Sequence, residues 1–145
     1  MTRMARDAIM ARIPHAGTMC LLDEVLDWDA AHVTCLSRRA AAADNPLRRE
    51  NGTLGTASFI EIAAQAMALH GSLTAPRDGA PIPGLLVALR DVHLATPTHD
   101  GPGPLHIRAT RLLGDMQGAT YSFAVSHEDS TVLNGRATVL FGAPS

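Results

Sequence analysis

The feature that most constrains the fold is a run of thirteen residues, 57–69, that is almost wholly apolar and contains one carboxylate. Its sequence is ASFIEIAAQAMAL, in which the acidic residue is Glu61 and the only polar residue after it is Gln65, four positions later. A helix that is apolar on most sides has to be buried on most sides. Because an ionised carboxylate is costly to bury without a partner, we expect Glu61 to have a task other than solubility.

The rest of the chain alternates between strand-like patterns and turn-rich segments. The helix is predicted over 56–71, with Thr56 or Thr53 as its N-cap and Gly71 as its C-terminal stop. A short amphipathic helix is predicted at 1–12, strands at 19–28, 31–38, 85–94, 105–113, 120–126 and 131–141, and loops at 44–53 and 74–84. One long helix among these strands favours an α+β fold, in which an antiparallel sheet packs against the helix. The length of 145 residues predicts a single domain, 1–145.

The charge and hydropathy of the chain argue against several classes of partner. Lys and Arg total 12 against 14 Asp and Glu, for a formal net charge of −2, which gives no general basic field for nucleic acid or an anionic membrane. No apolar run reaches the length that spans a bilayer, and the N-terminus lacks the apolar region of a signal peptide. We therefore expect a cytoplasmic protein with no nucleic-acid or membrane partner.

The cysteines and histidines predict neither disulfides nor a metal site. Cys20 and Cys35 lie in apolar surroundings and are expected to be buried, reduced thiols. The seven histidines form no HxH or HExxH pattern, and His70 is interpreted as a residue favoured by the negative end of the helix. Walker, GxGxxG and GxSxG motifs are also missing from the sequence. We expect no metal, no cofactor, and no nucleophilic serine or cysteine.

The candidate chemistry therefore centres on the long helix. Glu61 and Gln65 are spaced i, i+4 and share one helix face. Glu61 is interpreted either as a general acid/base or activator of water, with Gln65 as a hydrogen-bond partner, or as a structural carboxylate that reaches solvent or pairs with an arginine such as Arg90. Gly55 and Thr56 stand at the N-terminus of the helix, where free N–H groups and the helix dipole can polarise a carbonyl or hold an oxyanion.

These residues resemble the hotdog-fold β-hydroxyacyl acyl-carrier-protein dehydratases, the FabZ/FabA-like group. The segment IPHAGTMCLLDEVLDWD at 13–29 is similar to the opening of that family, and FIEIAAQAMA at 59–68 is similar to its catalytic helix. LVALRDVHLATPT at 86–98 resembles the strand that forms the dimer and tunnel wall in the family. The likeness covers about residues 12 to 142. It is closer still to the ApeP-type dehydratases of aryl polyene clusters, which share an NPLR loop, here residues 45–48, and an AAQAMA-containing helix.

The resemblance implies a hotdog fold, with a long central helix wrapped by a curved antiparallel sheet, and it implies roles for particular residues. Glu61 takes the position of the catalytic acid, and Gln65 that of the helix glutamine, which is assigned to substrate binding. Gly55 and Thr56 take the position of the substrate-carbonyl site, and Asn45 and Pro46 belong to the shared loop and are assigned to substrate binding.

The chain departs from the family at one position. The typical dehydratase has its catalytic histidine fourteen residues before the helix carboxylate, where this chain has Leu47, and no histidine lies between His32 and His70. His15, in the IPHAGTMCLLDEV motif, is the histidine that we assign as its catalytic replacement. The alternatives are that Glu61 acts alone or with water, or that the chain is a weakly catalytic partner in a larger complex.

The expected function is dehydration of a 3-hydroxyacyl thioester carried on acyl carrier protein, in fatty-acid-like or aryl polyene biosynthesis. The expected partners are acyl carrier protein or an acyl-CoA thioester, and a second hotdog chain in a homodimer or heteromer. The alternatives are a hotdog acyl thioesterase and a non-catalytic acyl-binding subunit of a hotdog heteromer.

Overall fold

The computed structural model describes residues 3–12, 20–39, 45–51, 55–74, 84–99, 103–115 and 117–141. Two helices and seven strands lie in these ranges, in the order β1 Met4–Ala5, α1 Arg6–Met10, β2 Glu24–Trp28, β3 His32–Ser37, α2 Phe59–Thr74, β4 Gly84–Leu94, β5 Leu105–Gly114, β6 Gly118–His127 and β7 Ser130–Phe141. A single 3₁₀ turn, Thr56–Ser58, leads into α2.

The seven strands form one antiparallel sheet in the order β1-β2-β3-β5-β6-β7-β4. Strands β5, β6 and β7 follow one another as hairpins. Strand β4, which precedes them in the chain, pairs with β7 and ends the sheet. One long helix beside an antiparallel sheet is the α+β architecture predicted from the sequence, and that prediction is confirmed.

Side chains of the sheet alternate between a buried inner face and an accessible outer face. On β6, Ala119, Tyr121, Phe123 and Val125 are buried, whereas the residues between them are partly exposed. Because side chains alternate along a strand, these buried residues share the face that packs with α2. The inner faces of β3 and β5 join the same core, to which α2 contributes the buried residues Phe59, Ile62, Ala63, Ala66, Met67 and Leu69.

The long helix differs from its predicted bounds at both ends. Gly71 lies inside α2 and is buried, so it does not end the helix, which continues to Thr74. The hydroxyl of Thr74 donates to the carbonyl of His70 at 2.8 Å and helps to close the last turn. At the other end the N-cap is Gly55, not Thr56, which is already the first residue of the 3₁₀ turn. The other proposed cap, Thr53, lies outside the described residues.

The first two predicted elements are shorter than expected. The helix predicted at 1–12 is α1, five residues long, and it follows the two-residue strand β1. The strand predicted at 19–28 begins only at Glu24. Leu21 is not part of that strand, and its N–H donates to the side chain of Gln65, a residue of α2. No helix in the described ranges is long and apolar enough to cross a membrane.

Candidate functional site

Glu61 and Gln65 are brought into one arrangement with the segment that precedes β2. The Oε1 atom of Gln65 accepts the N–H of Leu21 at 2.9 Å, across 44 residues of sequence. This bond fixes the orientation of the amide, so that its Nε2 faces Oε1 of Glu61 at 3.5 Å, a long contact. Gln65 is completely buried. The predicted i, i+4 pair therefore exists, and it has a third member that sequence spacing did not indicate.

Glu61 lies on the one side of α2 that the rest of the structure leaves accessible. Ile60, Glu61 and Ala64 are partly exposed, and Ala57, one turn earlier, is exposed, whereas most other residues of α2 are buried. Residues three and four apart share a helix face, so these positions form an accessible stripe. Among the ion pairs between described residues, none joins Glu61 to Arg90, the structural partner suggested from the sequence.

The N-terminal end of the helix is held by the segment that follows β4. Gly55 pairs with Thr98 in an isolated antiparallel bridge, and the N–H of Thr56 donates to the carbonyl of Pro97 at 3.0 Å. The N–H of Thr56, expected to face a substrate carbonyl, is therefore already used. The carbonyl of Gly55 accepts both the N–H and the hydroxyl of Ser58, at 3.0 and 2.6 Å. Any carbonyl site at this end has to use N–H groups beyond Thr56.

Arg49 packs directly on Gly55. A Cβ atom on Gly55 would lie 2.6 Å from Nη2 and 3.1 Å from Cζ of Arg49. The absence of a side chain at position 55 therefore lets the guanidinium approach the backbone at the start of the helix. The sequence pattern pointed to this glycine as a carbonyl site and gave no sign of the arginine beside it.

Asn45 shapes its own loop. It is buried, and its Oδ1 accepts the N–H of Leu47 at 2.9 Å while its carbonyl accepts the N–H of Arg48 at 3.1 Å. An asparagine side chain that bonds the backbone two residues later forms an Asx turn. Pro46 is exposed at the turn. Asn45 thus has a structural role in the NPLR loop.

His15, the histidine proposed as the catalytic base, lies outside the described residues. The segment that contains it, 13–19, leads to Cys20 and Leu21, and Leu21 is bonded to Gln65. The chain re-enters the described structure beside the Glu61 and Gln65 pair. Leu21 is six residues from His15, a separation that spans at most about 20 Å when fully extended.

Two histidines, His99 and His127, come together at the start of α2. The ring of His99 lies 5.8 Å from that of Phe59, the first residue of α2, and 4.6 Å from that of His127, both in edge-to-face geometry. Gly103, with φ of 97°, lies against His127, where a Cβ would be 3.7 Å from Nε2. No local motif identifies this pair, because the bridge between Gly55 and Thr98 is what brings the segment of His99 to the helix.

His70 is not the helix-end cation that the sequence indicated. It is fully buried, with Nε2 2.8 Å from the carbonyl of Asp29 and Nδ1 2.7 Å from the hydroxyl of Tyr121. The carbonyl can only accept, so Nε2 carries the proton and Nδ1 accepts from Tyr121. Burial lowers the pKa of His70 below its usual value and raises the pKa of Tyr121. A neutral imidazole gains little from the helix dipole, and its role is to join α2 to the sheet.

The two cysteines are buried free thiols in the described structure, as expected. Burial raises the pKa of the Cys35 thiol to about 12, so it is a poor nucleophile at neutral pH. Within the described ranges, no three His, Cys, Asp or Glu residues are grouped so as to hold a metal ion.

Solved structures share this architecture over most of the chain. The dehydratase heterocomplex ApeI:P from Xenorhabdus doucetiae contains a chain with a TM-score of 0.83 and 24% identity, covering 94% of this chain and 91% of that one. A thioesterase from Pseudomonas aeruginosa matches with a TM-score of 0.63 and 12% identity, over 87% and 84% of the two chains. A thioesterase from Haemophilus influenzae matches with a TM-score of 0.63 and 14% identity, over 88% and 83%. At these identities the structures establish the fold, and the predicted hotdog architecture is confirmed.

Sequence comparison gives the family directly. Among curated proteins, no relative matches the chain. The ApeP-like family, described as ApeP dehydratase, matches residues 8–143 and so covers nearly the whole sequence. This confirms the resemblance inferred from the IPH segment and the helix, and with it the class of dehydratase-like lyase. The chain belongs to the ApeP-like dehydratase family.

Proposed function

We propose that this protein dehydrates a 3-hydroxyacyl thioester carried on acyl carrier protein, with Glu61 as the catalytic acid. The observation that carries the proposal is the position of Glu61 on the accessible stripe of an otherwise buried helix, next to an amide that is fixed by the backbone of Leu21. Membership of a dehydratase family supports the same reaction class. Biosynthesis of aryl polyenes or other fatty-acid-like chains is the pathway that we propose, in the cytoplasm.

The reaction requires a base that acts at one carbon of a carbon–carbon bond and an acid that acts at the other. A base removes the proton next to the thioester carbonyl, and the electron pair forms the new double bond as the carbon–oxygen bond breaks. Glu61, protonated at the start, gives its proton to the departing hydroxyl, which leaves as water. Gln65 donates to one carboxyl oxygen of Glu61 and so helps to orient the carboxyl group toward the substrate. The thioester carbonyl binds at the helix start, at N–H groups beyond Thr56, where Arg49 beside Gly55 adds positive charge.

The base is His15 or a histidine of a second hotdog chain. His15 is favoured by its position in the segment that returns to the structure at Leu21, beside Gln65. A second chain is favoured by the edge strand β4, which pairs with β7 on one side and ends the sheet on the other. Val87, Leu89 and Leu94 are exposed on this strand, and an unpaired edge with apolar side chains is a template for pairing with another chain.

The experiment that tests the acid is a comparison of Glu61→Gln with Glu128→Gln. Both replacements remove one carboxylate, but Glu128 is exposed in the turn between β6 and β7. With a 3-hydroxyacyl carrier-protein substrate and its CoA counterpart, enoyl absorbance and free thiol are followed together. We expect enoyl formation to fall about 100- to 10,000-fold in Glu61→Gln, and to be unchanged in Glu128→Gln. Full activity of Glu61→Gln would remove this residue from the mechanism, and thiol release without enoyl product would identify a thioesterase.

The source of the base is tested by His15→Ala, assayed alone and with a co-purified hotdog dehydratase. If His15 is the base, its removal abolishes enoyl formation in both cases. If the partner supplies the base, the isolated chain is inactive, the mixed complex is active, and His15→Ala has no effect on the complex. Leu89→Lys on β4 is expected to separate the two chains in light scattering. A complex that persists in this variant would place the interface elsewhere.

A further inference from the structure

The outer face of the sheet carries a hollow of about 400 Å³, lined among others by Arg108, Arg136, His93 and Asn134. A second hollow of about 130 Å³ is lined by Arg136 and also by Arg90. Arg136 lines both hollows, and we call the two together the arginine groove. Arg108 and Arg136 alternate with buried residues on β5 and β7, so the groove faces away from α2 and from Glu61.

Two arginines of the groove, Arg90 and Arg136, are not paired with acidic residues in the described structure. Arg90 and Arg136 are direct cross-strand partners on β4 and β7, and like charges placed opposite each other destabilise a sheet. Neither forms an ion pair with any residue of the described ranges. Arg108 donates to the hydroxyl of Thr34 at 3.2 Å, and its charge, after the hydrogen bonds from His32 and Thr34, helps to lower the pKa of Asp27. Asp91 is the acidic residue among the described residues that line the two hollows, so Arg90 and Arg136 exceed it by one charge in a chain whose net charge is −2.

The backbone beside these arginines is irregular. The pairing of β4 with β7 shifts between Arg90 and His93, and Asp91 within this bulge has φ of 53°. A bulge bends its strand and redirects its side chains. Gly135 on β7 accommodates the bulge, because a Cβ there would lie 2.9 Å from Cγ2 of Val92. A like-charge pair, a bulge and a strained aspartate thus occur together at one concave site.

We propose that the arginine groove binds the phosphate group of a small ligand. Guanidinium groups present paired donors that match phosphate oxygens, and His93 and Asn134 supply further donors at the same hollow. A bound phosphate neutralises the repulsion between Arg90 and Arg136. A second copy of this chain is a poor occupant, because two faces of the same charge repel each other. The phosphate is either free or part of a carrier arm such as that of CoA.

The test is calorimetric titration of the full chain with inorganic phosphate, CoA and pantetheine, which lacks phosphate. We expect saturable 1:1 binding of phosphate and CoA and none of pantetheine. Tighter binding of CoA would identify a carrier arm as the source, and equal affinity would identify free phosphate. Arg136→Gln and Arg90→Gln are each expected to weaken binding about tenfold. Arg38→Gln is the matched control, because Arg38 is exposed but paired with Glu24 at 2.6 Å, and it should bind as the wild type does.

A further variant tests the proposal in the opposite direction. Asp91→Asn keeps the size of the side chain, suits a positive φ, and removes the negative charge of a residue that lines the groove. Its affinity for phosphate should rise. Thermal unfolding in phosphate, against chloride of equal ionic strength, should show stabilisation of the wild type that Arg136→Gln lacks. Unchanged affinity in all three groove variants, or no saturable binding of phosphate or CoA by the wild type, would overturn the proposal. None of these outcomes depends on Glu61 or on dehydratase activity.

Discussion

Replacing Gln65 with leucine should destabilise the protein through the backbone of a residue 44 positions away. Gln65 is completely buried, and its Oε1 accepts the N–H of Leu21 at 2.9 Å. Leucine is similar in size to glutamine and leaves little cavity, but it has no acceptor. The N–H of Leu21, a residue only 1% exposed, would then be buried without a partner.

The size of the effect follows from that orphaned donor. A buried N–H left without an acceptor costs about 1–3 kcal/mol, which is the expected loss in the free energy of unfolding. For a chain of this size, 1 kcal/mol corresponds to about 2–4 °C in Tm, so the midpoint should fall by about 2–12 °C. In urea the midpoint should decrease while the dependence on urea concentration stays the same, because the surface exposed on unfolding is unchanged.

The matched control is Gln117→Leu, the same replacement at an exposed glutamine in the turn between β5 and β6. It is expected to change the free energy of unfolding by no more than about 0.5 kcal/mol. Equal urea midpoints for the two variants would refute the argument, since they would mean that the bond between Leu21 and Gln65 contributes nothing measurable.

Three further predictions concern buried groups elsewhere in the structure. Because burial lowers the pKa of His70, the unfolded chain binds a proton that the folded chain does not. The free energy of unfolding should therefore fall as pH drops below about 6.5, by up to about 1.4 kcal/mol per pH unit. Urea unfolding at several pH values should show that this free energy depends less on pH in His70→Gln. Since burial raises the pKa of the Cys35 thiol to about 12, a thiol reagent at pH about 8 should label Cys35 only as fast as the protein unfolds, and rapid labelling of the native chain would contradict this. Gly135→Ala places a Cβ 2.9 Å from Cγ2 of Val92 and 3.0 Å from Cζ of Phe123, and calorimetry should show a loss of about 1–3 kcal/mol that is partly recovered by Val92→Ala in the same chain.

The sequence predicted the elements whose patterns are local and strong. The strands β3, β5, β6 and β7 lie within two residues of their predicted bounds, because period-2 alternation is visible along each of them. Gly71 shows where local reasoning fails. A glycine usually ends a helix, but here it is buried among core residues of α2, and packing outweighs its low helix propensity.

In the candidate site too, contacts within one helix were predicted from the sequence and contacts between distant segments were not. Spacing alone placed Glu61 and Gln65 on one helix face, as observed. The contacts of the helix N-terminus with Arg49 and Pro97, and the approach of His99 to Phe59, join segments that are distant in sequence. Such contacts depend on how the segments pack together, which local patterns do not encode. His70 was misread for this reason, since its partners Tyr121 and Asp29 come from other parts of the chain.

Replacing Gln65 and replacing Glu61 should have different effects, because Gln65 has a structural role and Glu61 a chemical one. Gln65 is bonded to the backbone before β2, so its removal affects both the packing of that segment and the orientation of Glu61. Glu61 is partly exposed and in long contact with the amide, so Glu61→Gln should keep the fold while removing the acid. Loss of stability and activity together in Gln65→Leu, with loss of activity alone in Glu61→Gln, is the pattern expected if the amide positions a catalytic carboxylate. If Glu61 were instead a structural carboxylate, its replacement would lower stability and leave any activity intact.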